Sequence, residues 1–192
     1  MSSREDILAR LKANSPQPVE RPTLNFTPQT FANPLEQFEK IVQTAGGHFV
    51  MRQEGEDLND IIRRTFPEAK TIASNLPEIT CATVNPDTLD DPRLLNGTDV
   101  GVVRGDFGVL ENGMVWVTQH TRYKAIFFIS EALVILLDKT QLVNNMHEAY
   151  ARPELQTYDY GCFIAGPSKT ADIEQALVIG AHGAKEVTVI LE

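Results

Sequence analysis

YGCFIAGPSKTADIEQALVIGAHGAKEVTVILE, residues 160–192, is the stretch whose reading decides the fold. Residues 161–165 form a short apolar run of the kind a buried strand makes. Gly166, Pro167, Ser168 and Lys169 break it, and Thr170 is a suitable N-cap for a following helix. Asp172 and Glu174 would lie in the first turn, where the helix dipole favours negative charge. Ile173, Ala176, Leu177 and Gly180 recur at helical spacing, and Gly180 and Gly183 would end the helix. Residues 186–191 then read as a β-branched strand through Val187, Val189 and Ile190. The expectation is a β-α-β unit with its Gly-rich turn at the carboxyl end of a sheet. Open α/β folds usually bind ligands at that end, and the turn offers backbone N–H groups to an anion.

Working outward, the same rhythm recurs. Asn33 is placed to cap a helix with Pro34 in its first position and Leu35, Phe38, Ile41 and Val42 as its apolar stripe. Gly46 and Gly47 stop that helix. Residues 48–52 read as a strand, 58–66 as an amphipathic helix ended by Pro67, and 70–74 as another strand. Alternation of this type predicts an α/β fold with a mainly parallel sheet and flanking helices. Residues 81–84 are a candidate strand. Residues 100–103 and 109–110 are strand material, and Asn112-Gly113 marks a hairpin whose return strand is 114–117. Residues 121–128 fit either a short helix or a strand, 132–137 a buried strand, 140–150 a helix and 152–159 a loop. Upstream, residues 3–13 read as a short amphipathic helix with Ile7, Leu8 and Leu11 on one side. Pro16, Pro18, Pro22 and Pro28 then exclude regular structure from the linker. That helix either docks on its own domain or reaches a neighbouring copy.

Composition narrows the function classes. The 192 residues carry a formal net charge of −9 without a Lys/Arg run, which argues against nucleic acid and anionic membrane surfaces as partners. The start of the chain has no apolar segment of the secretory type, and no run approaches spanning length, so a cytoplasmic location is expected. Cys81 and Cys162 lie far apart in apolar runs and read as buried free thiols. They cannot hold an iron–sulfur cluster, the four histidines form no ligand pattern, and no dinucleotide fingerprint occurs. No cofactor and no metal are therefore expected in this chain.

Four places carry candidate chemistry. Glu111, beside the Asn112-Gly113 turn, suits a base, a nucleophile or a ligand-binding carboxylate, or simply a solvent-facing hairpin residue. Gly166, Ser168, Lys169 and Thr170 supply backbone donors, two hydroxyls and a cation for an anion, although Ser and Thr before a helix are usually caps. His182 suits a general acid/base or a helix C-terminal cap. Arg122 and Arg104 are candidate partners for a carboxylate or phosphate, and Asp106 reads as a turn residue.

The run from Gly166 to Glu174, followed by Gly180-Ala181-His182-Gly183, resembles the signature of the LUD domain, the lactate-utilisation protein C family. The usual ending of that signature is His-Gly-Pro, and here Ala184 replaces the proline. A family-type Ala-Glu-Thr-Gly-Thr motif falls on Leu110-Glu111-Asn112-Gly113-Met114, with glutamate and glycine kept and both threonines lost. Glu-Asn-Gly is also similar to the motif around the nucleophilic glutamate of some coenzyme A transferases. The resemblance implies a NagB/RpiA/CoA-transferase-like fold, with residues 1–30 as helical arm and linker and 31–192 as the domain. It implies a link to the oxidation of L-lactate to pyruvate beside iron–sulfur partner subunits, and a pocket for a small carboxylate or phosphorylated metabolite. Catalytic roles would fall to Glu111 and His182, and ligand contacts to Asn112, Gly113, Gly166, Ser168, Lys169, Thr170 and Arg122. A homo-oligomer is a further implied arrangement. The lost threonines and Ala184 leave open a subunit that binds or assembles without catalysis.

Overall fold

In a computed structural model, residues 3–15, 20, 23, 27–156, 160–171 and 177–192 are described. The helices are α1 (Ser3–Ala13), α2 (Pro34–Thr44), α3 (Leu58–Thr65), α4 (Ile126–Ile129) and α5 (Met146–Tyr150). The strands are β1 (His48–Met51), β2 (Ile72–Ala73), β3 (Val100–Arg104), β4 (Phe107–Val109), β5 (Val115–Thr118) and β6 (Ala132–Leu137). They continue as β7 (Leu142–Val143), β8 (Gly161–Ile164), β9 (Lys169–Ala171), β10 (Leu177–Ile179) and β11 (Glu186–Leu191).

Five strands make a parallel sheet in the order β1-β11-β6-β3-β2. Its middle strands are apolar along their length because both faces are covered. Side chains alternate between two cores. Leu133, Ile135, Leu137, Val187, Val189 and Leu191 face α2, α4 and the second sheet. Ala132, Val134, Leu136, Val100, Val102 and Ile190 face α3 through Leu58, Ile61 and Ile62. Asp57 starts α3 by accepting from the Asn59 N–H at 2.8 Å. Buried Asn59 also ties in the neighbouring loop, donating to the Glu78 carbonyl at 3.1 Å and accepting from the Cys81 N–H at 2.9 Å.

The second sheet is mixed, in the order β7-β4-β5-β8, and covers one face of the parallel sheet. Glycine lets it pack closely. A Cβ on Gly108 would stand 2.8 Å from the Phe38 ring of α2, and one on Gly161 2.2 Å from the Trp116 ring.

Several expectations give way here. Residues 161–164 and 186–191 are not one β-α-β unit: β8 pairs antiparallel with β5 in the mixed sheet and is half-buried, while β11 lies inside the parallel sheet. Residues 169–171 and 177–179 pair antiparallel as a hairpin, with Thr170 opposite Val178. Thr170 therefore caps no helix, and β-branched residues at 170, 178 and 179 suit the ladder they form. The expected first-turn residues 172–176 lie outside the described residues. The helix expected over 140–150 shortens to α5, because Leu142–Val143 joins the edge of β4. Residues 81–84 contribute a single bridge, Ala73 to Val84. Asn33 stands at the start of α2 but makes no side-chain cap; its amide donates to Glu36 instead, at 3.2 Å. Cys162 is half-buried rather than buried.

Candidate functional site

Three glycine turns converge at the amino end of the parallel strands. The first is 45–47, where α2 ends and β1 begins. Gly46 (φ +84°) and Gly47 close it by donating to the Gln43 and Val42 carbonyls. The second is 165–168. Gly166 has φ +60°, and a Cβ there would stand 2.4 Å from the Ala45 carbonyl oxygen, so only glycine fits. The third is 180–184, which wraps Ser168. The Ser168 N–H donates to the Ala184 carbonyl and its carbonyl accepts from the Gly180 N–H, both at 2.9 Å. Gly183 lies so close that a Cβ would meet the Ser168 Cβ at 3.3 Å.

Between these turns runs an open cleft of about 230 Å³. Gly166, Ser168, His182 and Gly183 line one side of it; Phe127, Phe128, Phe163 and Ile164 line the other, over a floor of Leu133, Ala184 and Val187. The sequence thus identified the polar wall, but placed it at the wrong edge. His182 and Gly183 directly precede β11, and Gly166 abuts the turn before β1, so the cleft opens at the amino end of the sheet. A second cavity of about 450 Å³ adjoins it and shares Phe128, His182 and Gly183. Thr98, Asp99, Glu131 and Lys185 make its walls polar.

Other expected contributors divide. The Lys169 ammonium donates to the Ala45 carbonyl, at the negative end of α2, and so serves the helix terminus. Glu111 is exposed on the β4–β5 hairpin. Asn112 closes that turn by accepting from the Met114 N–H at 3.1 Å, and Gly113 (φ +70°) packs against the Ile41–Val42 backbone. The hairpin and the 166 turn thus rest on successive turns of α2, while His182 comes from the far side of the cleft. Arg122 lies at the opposite edge, where its N–H donates to Asp87 at 2.7 Å and its guanidinium to the Leu89 carbonyl at 2.9 Å. β6 alone separates the edges by six residues, roughly 20 Å.

At that carboxyl edge the structure gathers a cluster that the sequence did not reveal. Asp106 accepts from the Thr118 N–H at 3.0 Å and the Thr118 hydroxyl at 2.9 Å. Its second oxygen lies 3.2 Å from His120 Nε2, which is 2.5 Å from the Thr118 hydroxyl. Asn75 donates to the His120 carbonyl at 2.8 Å and to Asp87 at 2.9 Å. Burial pushes the Asp87 carboxyl up, but hydrogen bonds from Arg122, Asn75 and Thr121 outweigh it and hold the group below its ordinary range. An Asp-Thr-His arrangement of this kind orients an imidazole. Residues 106, 118 and 120 carry no motif; they meet only because β4 and β5 fold back together. Farther along this edge, Arg104 bridges Glu78 and Glu192, and Glu192 also receives Arg52 at 2.9 Å.

Both thiols are held in the protonated form: burial pushes the Cys81 and Cys162 pKa values up, and a hydrogen bond with Tyr160 only partly opposes this at Cys162. Among the described residues no group of three or more His, Cys, Asp or Glu is placed to hold a metal ion. No helix among them is long and apolar enough to cross a membrane.

Comparison with known proteins joins these features. Residues 90–191 match the LUD domain. The chain is 26% identical over 228 residues to a lactate utilization protein C of Oceanobacillus iheyensis, covering 98% of this chain and 97% of that one. It is 24% identical over 200 residues to a lactate utilization protein C of Geobacillus sp. WCH70, covering 98% and 79%. In fold it is similar to a DUF162 family protein of Deinococcus radiodurans, with a TM-score of 0.65 at 15% identity over 85% of this chain and 99% of that one. The matched span contains the hairpin of Glu111, the cleft turns of Gly166 and His182 and three strands of the parallel sheet. This chain belongs to the LUD domain family.

Proposed function

We propose that this protein acts in lactate utilisation and binds a small carboxylate in the amino-edge cleft. The observation that carries the reading is the near end-to-end relationship to lactate utilization protein C, which spans both the parallel sheet and the three cleft turns. Gly166, Ser168 and Gly183 offer an anion backbone N–H groups and one hydroxyl, and exposed His182 adds a group able to donate or accept a proton. Lys169 and Thr170 support this wall from the hairpin, and Arg122 is excluded by its position at the far edge. The NagB/RpiA/CoA-transferase-like fold implied by the sequence agrees with a parallel sheet faced by a smaller mixed sheet. Electrons from lactate would pass to iron–sulfur partner subunits, since two distant cysteines, both protonated thiols, give this chain no cluster site.

A second reading, an assembly subunit without catalysis, is favoured by the Glu111 hairpin. Asn112 there satisfies its own turn, and the hydroxyls of the family motif are absent. On this reading the exposed Ile7, Leu8 and Leu11 of α1 make the contact with another copy or partner.

A thermal-shift titration with L-lactate and pyruvate tests the binding claim. Ligand at a hundred times its dissociation constant stabilises by about 2.7 kcal/mol, a shift of several degrees. We expect that shift to disappear in Ser168→Ala and to persist in Arg122→Ala. A shift abolished by Arg122→Ala and unaffected by Ser168→Ala would move the site to the other edge. Loss in Glu111→Gln would favour the catalytic reading over the assembly reading.

A further inference from the structure

The cleft is not built for a bare two- or three-carbon anion. Three phenyl rings, Ile164, Leu133 and Val187 line it, against two polar side chains, Ser168 and His182. The aromatic wall is fixed in place. Phe163 packs on Trp116 with ring centroids 4.7 Å apart, and edge-on to Phe107 and Tyr150 at 6.0 and 6.3 Å. Phe127 is buried and meets Phe128 edge-on at 6.1 Å. Phe128 remains 41% exposed, although an apolar ring gains by being covered. The floor residue Ala184 is a single methyl where the family signature carries a proline ring, which leaves space above Leu133 and Val187.

Charge limits the occupant from the other side. In the adjoining cavity the formal charges are those of Asp99, Glu131 and Lys185. Lys185 is already paired with Glu131 at 2.8 Å. Asp99 is held ionised by the Lys70 and Thr71 N–H groups at 2.8 Å each. The surplus is therefore negative, and a polyphosphate tail laid along the shared Phe128–His182–Gly183 rim would meet repulsion.

Resting on the small-carboxylate reading, we propose that the ligand is a monocarboxylic acid bearing an aromatic or branched apolar side chain. Its carboxylate lies on the Gly166–Ser168 and His182–Gly183 turns, and its side chain lies on Phe127, Phe128 and Phe163. Phosphorylated and coenzyme A-linked acids are rejected by Asp99 and Glu131.

Isothermal titration of the full chain with pyruvate, L-lactate, phenylpyruvate, 4-methyl-2-oxopentanoate, glucose 6-phosphate and coenzyme A tests this. We expect phenylpyruvate and 4-methyl-2-oxopentanoate to bind at least tenfold tighter than pyruvate, a difference of about 1.4 kcal/mol or more. Ala184→Leu, which fills the floor, should remove that preference. Phe128→Ala, at an exposed position that a folded variant tolerates, should reduce it severalfold while leaving pyruvate binding unchanged. Equal affinity for pyruvate and the apolar acids would overturn the inference and leave the small-carboxylate reading standing. Tighter binding of coenzyme A or glucose 6-phosphate would overturn it through the charge argument. Heat from none of the six would overturn both.

Discussion

The two edges of the parallel sheet are finished in opposite ways. At the carboxyl edge the side chains satisfy one another: Arg104 joins Glu78 and Glu192, Arg52 joins Glu192, and Asp106 holds Thr118 and His120. At the amino edge the chain turns on glycines, and the side chains there leave an apolar cleft open. Ligand binding requires groups whose interactions are not already complete, so the difference points to the amino edge even though open α/β sheets usually bind at the other. Edge chemistry follows which turns the mixed sheet leaves uncovered, and strand direction alone does not decide it.

The largest effect expected from breaking this contrast is at Gly166. Gly166→Ala combines a positive φ with a 2.4 Å approach to the Ala45 carbonyl. We expect a loss of about 2–4 kcal/mol, read as a lower denaturation midpoint, together with loss of ligand binding. At the opposite edge, Arg104→Ala would leave Glu78 without that partner and Glu192 with Arg52 alone. That should cost about 1.5–3 kcal/mol in chemical denaturation while leaving ligand affinity unchanged. A change in affinity there would make the two edges one coupled site.

Smaller effects sharpen the contrast. Two backbone N–H bonds lower the Asp99 carboxyl against a modest opposing effect of burial. A lowered folded value means stability that is present above the unfolded value and lost as pH falls through the folded one. Asp99→Asn should therefore flatten the acid limb of a Tm-against-pH profile and cost about 1 kcal/mol at neutral pH. The smallest stability effect belongs to the exposed Lys185–Glu131 pair, with side chains 61% and 60% accessible. Glu131→Gln should change stability by less than about 0.5 kcal/mol. Its informative readout is weakened discrimination against phosphorylated anions.

The sequence was legible where a stretch has one demand on it. The runs at 48–51, 100–104, 132–137 and 186–191 are apolar because both faces are buried, and each was identified as a strand before the fold was known. The helices over 34–44 and 58–65 carried clear stops in Gly46-Gly47 and Pro67. Legibility failed where pairing partners decide. Residues 169–179 show helical spacing, yet Thr170 and Val178 find each other across a hairpin. Leu142–Val143 looked helical until β4 offered an edge. At the site, the turns of Gly166 and His182 were visible as glycine-rich breaks flanking a strand. The phenyl wall was not, because residues 127, 128 and 163 come from separate elements and each reads as ordinary core. Asp106, Thr118 and His120 were hidden for the same reason.

The most direct test of the amino-edge site is a backbone amide NMR titration with phenylpyruvate. We expect saturable shifts at Gly166, Ser168, His182 and Gly183, with Asp106, Thr118 and His120 unmoved. Shifts concentrated at Asp106, Thr118 and His120 would contradict it and make the carboxyl edge the binding site.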